Sequence, residues 1–473
     1  MKTTTNYRWF ICMMLFAATT INYLDRQVLS LTWKDFIAPE FSWTNNDYGN
    51  ITALFSIFYA VSMLIAGPLV DKLDTKKGFL WAIGIWSLGA CLHAFSGIFT
   101  AGYVTGTWVF SFAEAKEAIE LAGNTGMVIT ASVTFFIFAR LVLAFGEAGN
   151  FPAAIKTTAE YFPKKDRALA TSIFNAGATI GALAAPLTIP FIAKAYGWEM
   201  AFIVIGVLGF IWMGVWLFVY EKPHKHKRVS KNELEYILQD NDQDELDENG
   251  KAKAVNIFKA LKYKQTWIFL VGKFMTDGVW WFFLFWTPAY LSAIYGMDST
   301  ESAIPLFVLY AITLLAIIGG WLPSYFVNKG IIPYDARLKS MLIFALFPLL
   351  TLFAQPLGHI TYWIPVVIIG IAGAAHQAWS ANIFSVVGDL FPRRAIATIT
   401  GMGGLAGGIG SFFINKGSGM LFDYSKETQM AFMGFQGEEA GYFIIFCICA
   451  VAYIIAWGIM KMILPNYKPL TTL

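Results

Sequence analysis

Long apolar runs separated by short polar breaks make up nearly the whole chain. They fall near residues 8–33, 48–70, 78–98, 130–155, 166–194 and 198–220 and, after a polar stretch, near 266–292, 302–328, 338–356, 360–388, 394–415 and 440–464. A helix needs about 20 residues to cross the ~30 Å hydrocarbon layer, so each run predicts one crossing. No ~10-residue segments of strict alternation, the mark of a membrane barrel, occur. The pattern predicts an all-α membrane protein of twelve transmembrane helices in two six-helix halves. The expected division is an N-terminal half at 1–220, a linker at 221–264 and a C-terminal half at 265–473. The first run is interrupted by Asp25 and Arg26 and lacks a small-residue cleavage site, which fits a retained helix and not a signal peptide.

Composition agrees with lipid as the solvent: 57% of residues are hydrophobic, 14% are charged and the mean hydropathy is +0.57. A net charge of +3 gives no reason to expect a nucleic-acid partner. The placement of the charge is more informative. With the N-terminus inside, most Lys and Arg fall in cytoplasmic loops, so both termini and the central loop are expected on the cytoplasmic side of a bacterial-type inner membrane. Cys12, Cys91, Cys447 and Cys449 all lie in apolar runs, which suggests neither a disulfide framework nor a metal site.

Two connections are long. The central one opens with Lys222, Lys225, Lys227 and Arg228 and then turns acidic from Asp240 to Glu248. Its Asp240-x-Asp242-x-Asp244 start is not a calcium loop, since Glu245 stands where Gly is needed and Lys251 where the closing Glu is needed, so a solvated linker is expected. The other, an insertion at about 99–129, carries Phe112, Glu114, Lys116, Glu117 and Glu120 in an amphipathic pattern. It reads either as an external lid or as a surface helix.

The segment from Glu160 to Lys165 (EYFPKK) recurs as Asp389 to Arg394 (DLFPRR), and Ala168, Thr171, Ile180 and Gly181 then match Ala397, Thr400, Ile409 and Gly410 at the same offset. Both copies join one helix to the next, as parallel repeats require.

Ionisable residues inside membrane helices are expensive, about 2.5–3.5 kcal/mol or more each on insertion scales, and mark function by default. Asp25 and Arg26 lie on helix one, Arg140 and Glu147 on helix four, and Lys273 and Asp277 on helix seven. Arg140 and Glu147, seven residues apart, share a helix face. An arginine fork suits a carboxylate ligand, and a buried carboxylate suits proton carriage. The alternatives are static pairing of Asp25 with either arginine and mutual neutralisation of Lys273 and Asp277 at i, i+4.

Two six-helix parallel repeats resemble the major facilitator superfamily. So does the segment from Gly67 to Lys77 (GPLVDKLDTKK), although Asp74 and Thr75 stand where that family's loop has its second glycine. The resemblance implies a substrate site between the halves and a gating role for Gly67, Asp71 and Lys72. Asn22 to Arg26 (NYLDR) with the stretch Phe138 to Ala153 (FARLVLAFGEAGNFPA) is similar to the anion:cation symporter branch. Gly373 to Ser380 (GAAHQAWS) and the surroundings of Lys273, Asp277 and Trp280 are most similar to hexuronate transporters. This resemblance implies uptake of galacturonate or glucuronate with a proton by a monomer. Arg26 and Arg140 would lie near the substrate carboxylate, and Asp25 and Glu147 would serve coupling; Asp277 is a further coupling candidate. Tyr59, Asn175, Trp280, His376, Gln377 and Asn382 are candidates for the sugar hydroxyls. Related galactonate transporters have a polar Asn on helix eleven where this chain has Gly403 to Gly408 (GGLAGG), which argues against galactonate.

No cofactor or metal is expected, with the proton gradient as driving force and sodium as the other option. The competing readings are a sodium-coupled or exchange carrier of another organic anion and an exporter of the same fold. For the exporter, Gly177, Gly181 and Pro186 give only a loose version of the expected helix-five motif. A membrane enzyme is not expected, because His93, His224, His226, His359 and His376 form no catalytic cluster along the chain.

Overall fold

In the computed structural model, residues 5–239 and 257–470 are described, apart from the side chains at positions 71, 164, 165, 168, 393, 394 and 397. The side chain of Asp71 and the acidic stretch Asp240–Glu248 therefore lie outside the described residues. Helices form where apolar runs predict them. The first half contains α1 (Tyr7–Thr32), α2 (Asn45–Leu73), α3 (Thr75–Ala94), α4 (Ser96–Thr105), α5 (Phe112–Leu121), α6 (Thr125–Glu147), α7 (Asn150–Tyr161), α8 (Lys164–Tyr196) and α9 (Trp198–Val219). A short α10 (Lys231–Ile237) follows. The second half contains α11 (Lys264–Tyr295), α12 (Ala303–Ile312), α13 (Ile318–Asn328), α14 (Pro333–Leu346), α15 (Trp363–Leu390), α16 (Arg393–Glu427) and α17 (Glu438–Ile463). A small hairpin, β1 (Ala431–Phe432) and β2 (Phe435–Gln436), precedes α17.

Among the described residues nine helices are long and apolar enough to cross a membrane, and ten if α3 and α4, bent by 50°, make one span. The other two expected crossings fall on α1 and α16, which have ample length at 26 and 35 residues. Their polar content sets them apart: α1 carries Asn22, Asp25, Arg26 and Gln27, and α16 is rich in glycine. Apolarity thus supports ten of the twelve expected crossings, and length supports the remaining two.

The chain divides into two compact units, residues 1–42 with 61–245 and residues 43–60 with 246–473. In the first unit α1 packs along α8, and α3 packs against α6 and α9. Glycines bring these backbones together. A Cβ added at Gly177 would stand 2.4 Å from the Phe16 carbonyl, and one at Gly146 would stand 2.3 Å from the Trp86 nitrogen. In the second unit α11 packs mainly against α16 and α17.

The repeated turn is tied down in the same way in each unit. Glu160 accepts a hydrogen bond from the Thr75 hydroxyl at 2.6 Å and another from the Tyr220 hydroxyl. Its counterpart Asp389 pairs with Arg337 at 2.7 Å. Thr75 opens α3 and Arg337 belongs to α14, each the third expected crossing of its half, so the carboxylate does the same job twice. Where the family loop has its second glycine, Asp74 takes φ 70°, the left-handed region that glycine enters freely. It is held there as the cap of α3, accepting the Thr75 N–H at 2.9 Å and pairing with Lys222 at 3.2 Å.

The linker begins as a docked element. Glu233 of α10 is buried and takes the Tyr7 and Arg8 N–H groups at 3.1 and 3.0 Å and the Thr5 hydroxyl at 2.5 Å. These are orphan donors at the start of α1, and a carboxylate there also meets the positive end of the helix dipole. Glu233→Ala is expected to destabilise the first unit by about 1–3 kcal/mol. A lower thermal midpoint of the detergent-solubilised protein, alongside an unchanged one for Glu235→Ala, is the result to look for.

The insertion forms α4 and α5, folded against one another. Ala115 and Ile119 are buried while Glu114, Lys116, Glu117 and Glu120 are exposed, so α5 is amphipathic as its pattern predicts. Beyond α1, in the turn Ala38–Phe41, Glu40 accepts the Trp198 indole N–H at 2.9 Å, and this turn packs against α5 and α6. Burial, chiefly, pushes the Glu40 carboxyl up to about 7. Glu199 and Glu120 act in the same sense, against the Trp198 hydrogen bond and Lys116. A carboxyl raised from the ordinary 4.5 stabilises the folded arrangement most below 4.5, and that contribution is lost as pH rises towards 7. Hydrogen exchange of residues 112–121, corrected for its intrinsic pH dependence, should therefore show less protection at pH 7.5 than at 5.5, and Glu40→Gln should flatten the difference.

Candidate functional site

Helix α1 presents Asn22, Asp25, Arg26 and Gln27 within six consecutive positions, all buried. Opposite them, α6 brings Arg140 and, as its last residue, Glu147; α7 then opens with Asn150. The small residues around Glu147 allow this approach, since α3 backbone atoms occupy the space a side chain at Gly146 would need.

The centre of the cluster is an ion pair. Arg26 donates from Nε and one terminal nitrogen to the same oxygen of Glu147, at 3.1 and 2.8 Å, with Arg26 5% and Glu147 0% exposed. The sequence pattern placed Glu147 on one helix face with Arg140; the structure gives it Arg26 as partner. Asp25 pairs with neither arginine by hydrogen bond among the described residues. Both its oxygens are buried without a donor, although Arg26, Arg140 and Glu147 all act on it electrostatically. Arg140 is buried as well.

Asn22, Gln27, Asn150 and the second oxygen of Glu147 are also buried, with no hydrogen-bond partner among the described residues. A buried polar group left unsatisfied costs about 1–3 kcal/mol, and native structures concentrate such groups where water, protons or ligands serve them. Four such side chains, Asn22, Asp25, Gln27 and Asn150, lie within a few positions of the Arg26–Glu147 pair on just two stretches of chain. Asn22 and Asn150 were visible in the sequence only as part of the quoted motifs. Their unsatisfied amides are evident only once the packing is known.

The second unit holds its own pair. Lys273 and Asp277 meet at 2.7 Å along one face of α11, and Lys273 also lies over the Phe384 ring at 4.6 Å. Asp277 presses on α16 so closely that a Cβ at Gly407 would stand 2.2 Å from its oxygen. The glycine run on α16 thus makes room for this carboxylate. One turn along α11, Trp280 stacks on His376 with centroids 5.4 Å apart and planes 3° from parallel. The other side of His376 meets the Tyr453 hydroxyl at 2.7 Å, and Tyr453 in turn reaches the Thr276 carbonyl at 3.4 Å. Tyr453 stands in an apolar run that gives no sign of this bond. Tyr59 belongs to the same unit and packs against Trp281 and Phe55. Gln377 is half-buried, Asn175 is exposed on α8, and Lys72 is exposed near the end of α2. Among the described residues no side chain crowds Gly67. Among the described residues no three His, Cys, Asp or Glu side chains gather as a metal site would require.

Several known proteins are similar to this chain. The Hexuronate transporter of Escherichia coli (strain K12) is 27% identical over 419 residues, covering 88% of both chains. The Galacturonate transporter of Dickeya chrysanthemi is 27% identical over 321 residues, 67% of this chain and 82% of that one. A probable galactarate/D-glucarate transporter of Escherichia coli is 26% identical over 423 residues, 87% of this chain and 86% of that one. In fold, the chain is similar to the crystal structure of a D-xylose-proton symporter, with TM-score 0.67 at 16% identity over 96% of this chain and 98% of that one. A bacterial homologue of the human lysosomal transporter Spinster gives TM-score 0.68 at 18% identity over 98% and 97%. The profile of the Major Facilitator Superfamily matches residues 15–414, and the chain belongs to that superfamily of membrane transporters.

Proposed function

We propose that this protein carries a hexuronate or closely related sugar-acid anion into the cell together with a proton, by alternating access, with both termini and the linker cytoplasmic. The observation that carries this reading is the buried Arg26–Glu147 pair. A guanidinium held by a carboxylate can release it in only two ways at low cost: another carboxylate takes its place, or a proton neutralises the first. Protonation of Glu147 frees Arg26 for the substrate carboxylate. Binding of the anion, in turn, leaves Glu147 without its counter-charge and favours its protonation. Proton and anion then load together.

Asp25 and Arg140 extend the scheme. Two cationic and two anionic side chains sum to zero, so an anion entering without a proton leaves an uncompensated charge in a water-excluded cluster. The loaded state with one proton per anion restores neutrality, and so does the empty state. Half-loaded states are disfavoured from converting, which is the physical content of coupling. Lys273 and Asp277 neutralise one another on α11 and need move no charge in this cycle. Trp280, His376 and Tyr59 supply aromatic and hydrogen-bonding surface suited to a sugar ring.

The relatives named above for hexuronate, galacturonate and galactarate/glucarate transport support the sugar-acid class. Uptake into cells expressing the protein, with galacturonate, glucuronate, galactarate and gluconate in mutual competition, tests it. Competition by the hexuronates over neutral hexoses fits the proposal; uptake indifferent to the carboxylate contradicts it.

A further inference from the structure

Each half has a segment that follows its last helix and folds back over the ends of earlier ones. In the first half this is the stretch after α9, which runs through Tyr220 into α10. The Tyr220 hydroxyl bonds the Glu160 carboxylate near the end of α7, the Glu221 carbonyl accepts the Tyr161 hydroxyl, and Glu233 of α10 holds the start of α1. In the second half it is residues 464–470, which follow α17 and form neither helix nor strand. Tyr334, near the start of α14, donates to the Leu464 carbonyl at 2.8 Å, and Gln265, the second residue of α11, donates to the Lys468 carbonyl at 2.7 Å. The two segments differ in sequence and in local structure, yet each joins the start of the first helix of its half to the repeated turn.

The ends of α7 and α15 show why the second segment is needed. The last carbonyls of a helix have no partner within it. At the end of α7 Arg167, from the helix that follows, serves them: its Nε donates to the Phe162 carbonyl at 2.9 Å and a terminal nitrogen to the Ala159 carbonyl at 3.0 Å. The repeat matches Asp389 with Glu160, so Ile396 falls where Arg167 stands. An isoleucine has no side-chain donor. At the end of α15 the donors come from residues 464–470 instead: the Leu470 N–H donates to the Leu390 carbonyl at 2.8 Å and the Tyr467 hydroxyl to the Asp389 carbonyl at 3.2 Å.

Hydrogen bonds, more than apolar packing, hold this segment in place. Residues 465–469 are exposed. Ordering an exposed run of chain costs conformational entropy, and the bonds to helix ends offset it. The Tyr467 ring adds a contact with the Tyr334 ring, centroids 5.8 Å apart, and the Lys461 ammonium donates to the Pro465 carbonyl at 2.5 Å.

We propose that residues 464–470 are a strap that closes this end of the second half, and that its Tyr467 and Leu470 donors stand in for the arginine the second repeat lacks. The strap ties α15, which carries His376, to α11, which carries Lys273, Asp277 and Trp280, and so holds the two sides of that cluster in register from one end. The inference depends on neither the substrate nor the coupling reading above.

Tyr467→Phe combined with Leu470→Pro removes both donors and leaves every side chain of α15 in place. In the full-length protein, hydrogen exchange of the amides at 386–391 is expected to quicken about tenfold in this double variant, the size of the two lost bonds, while exchange at 157–162 in the first half stays as it was. Arg167→Leu is expected to do the reverse. The deciding variant adds Ile396→Arg to the double variant. A guanidinium in the place it has in the first half should restore most of the protection at 386–391, with Ile396→Arg in the otherwise unaltered chain as the control for that substitution itself. Unchanged exchange at 386–391 in the double variant would overturn the strap. Exchange that quickens there and is not slowed again by Ile396→Arg would overturn the substitution for arginine.

Discussion

In proteoliposomes carrying Glu147→Gln, a pH gradient is expected to drive no accumulation of hexuronate, while exchange of labelled for unlabelled substrate across the same membrane continues. The amide has nearly the shape of the protonated acid, so it imposes permanently the state in which Arg26 is free for the anion. It cannot give the proton up. A carrier moving one proton with one anion sustains about tenfold accumulation per unit of pH difference, whereas the variant should equilibrate to a ratio of about one. Half-saturation for exchange should hold or improve, because the competitor for Arg26 has lost its charge. Accumulation by the variant that still follows the pH gradient would remove Glu147 from the coupling step.

Arg26→Lys is expected to weaken substrate binding roughly 10- to 100-fold while leaving the protein folded. The Arg26 guanidinium reaches one Glu147 oxygen through two nitrogens. An ammonium keeps the charge and loses the fork, so Glu147 remains neutralised but neither it nor a substrate carboxylate can be gripped in a fixed plane. Arg26→Ala is less informative, since it strands Glu147 as a buried unpaired charge and is expected to cost about 3–5 kcal/mol of stability. The half-saturation constant for uptake, or calorimetric binding of galacturonate, checks the prediction. Unchanged affinity would mean that Arg26 serves only to clip α1 to α6.

Most of the helical framework was legible because lipid imposes a length on every crossing and a cost on every charge. Ten of the expected crossings satisfy the resulting pattern, and the two that do not are α1, which carries Asp25 and Arg26, and α16, whose glycine run makes room for Asp277. The repeat was legible for a different reason. The same acid in each half ties a turn to its third helix, so Glu160 and Asp389 occupy matching places in matching sequence. The i, i+4 pair Lys273–Asp277 could be read from spacing alone.

Partnerships across helices were not legible. Which of Asp25 and Glu147 would take Arg26 depends on how α1 turns against α6, and two adjacent acids and bases give no means of choosing. Tyr453 looks like any other aromatic residue in an apolar run until His376 is seen against it. Residues 43–60 read as the start of an ordinary helix of the first half, yet their packing groups them with the second. The docking of α10 through Glu233 was hidden by the same polar composition that made the linker look solvated.

The central claim is that anion and proton move together. Purified protein in liposomes should accumulate labelled galacturonate or glucuronate when the outside is made acidic, with a ratio that tracks the pH difference, collapses with a protonophore and ignores sodium. Accumulation that follows an imposed sodium gradient at equal pH, or that equilibrates regardless of the proton gradient, would contradict it.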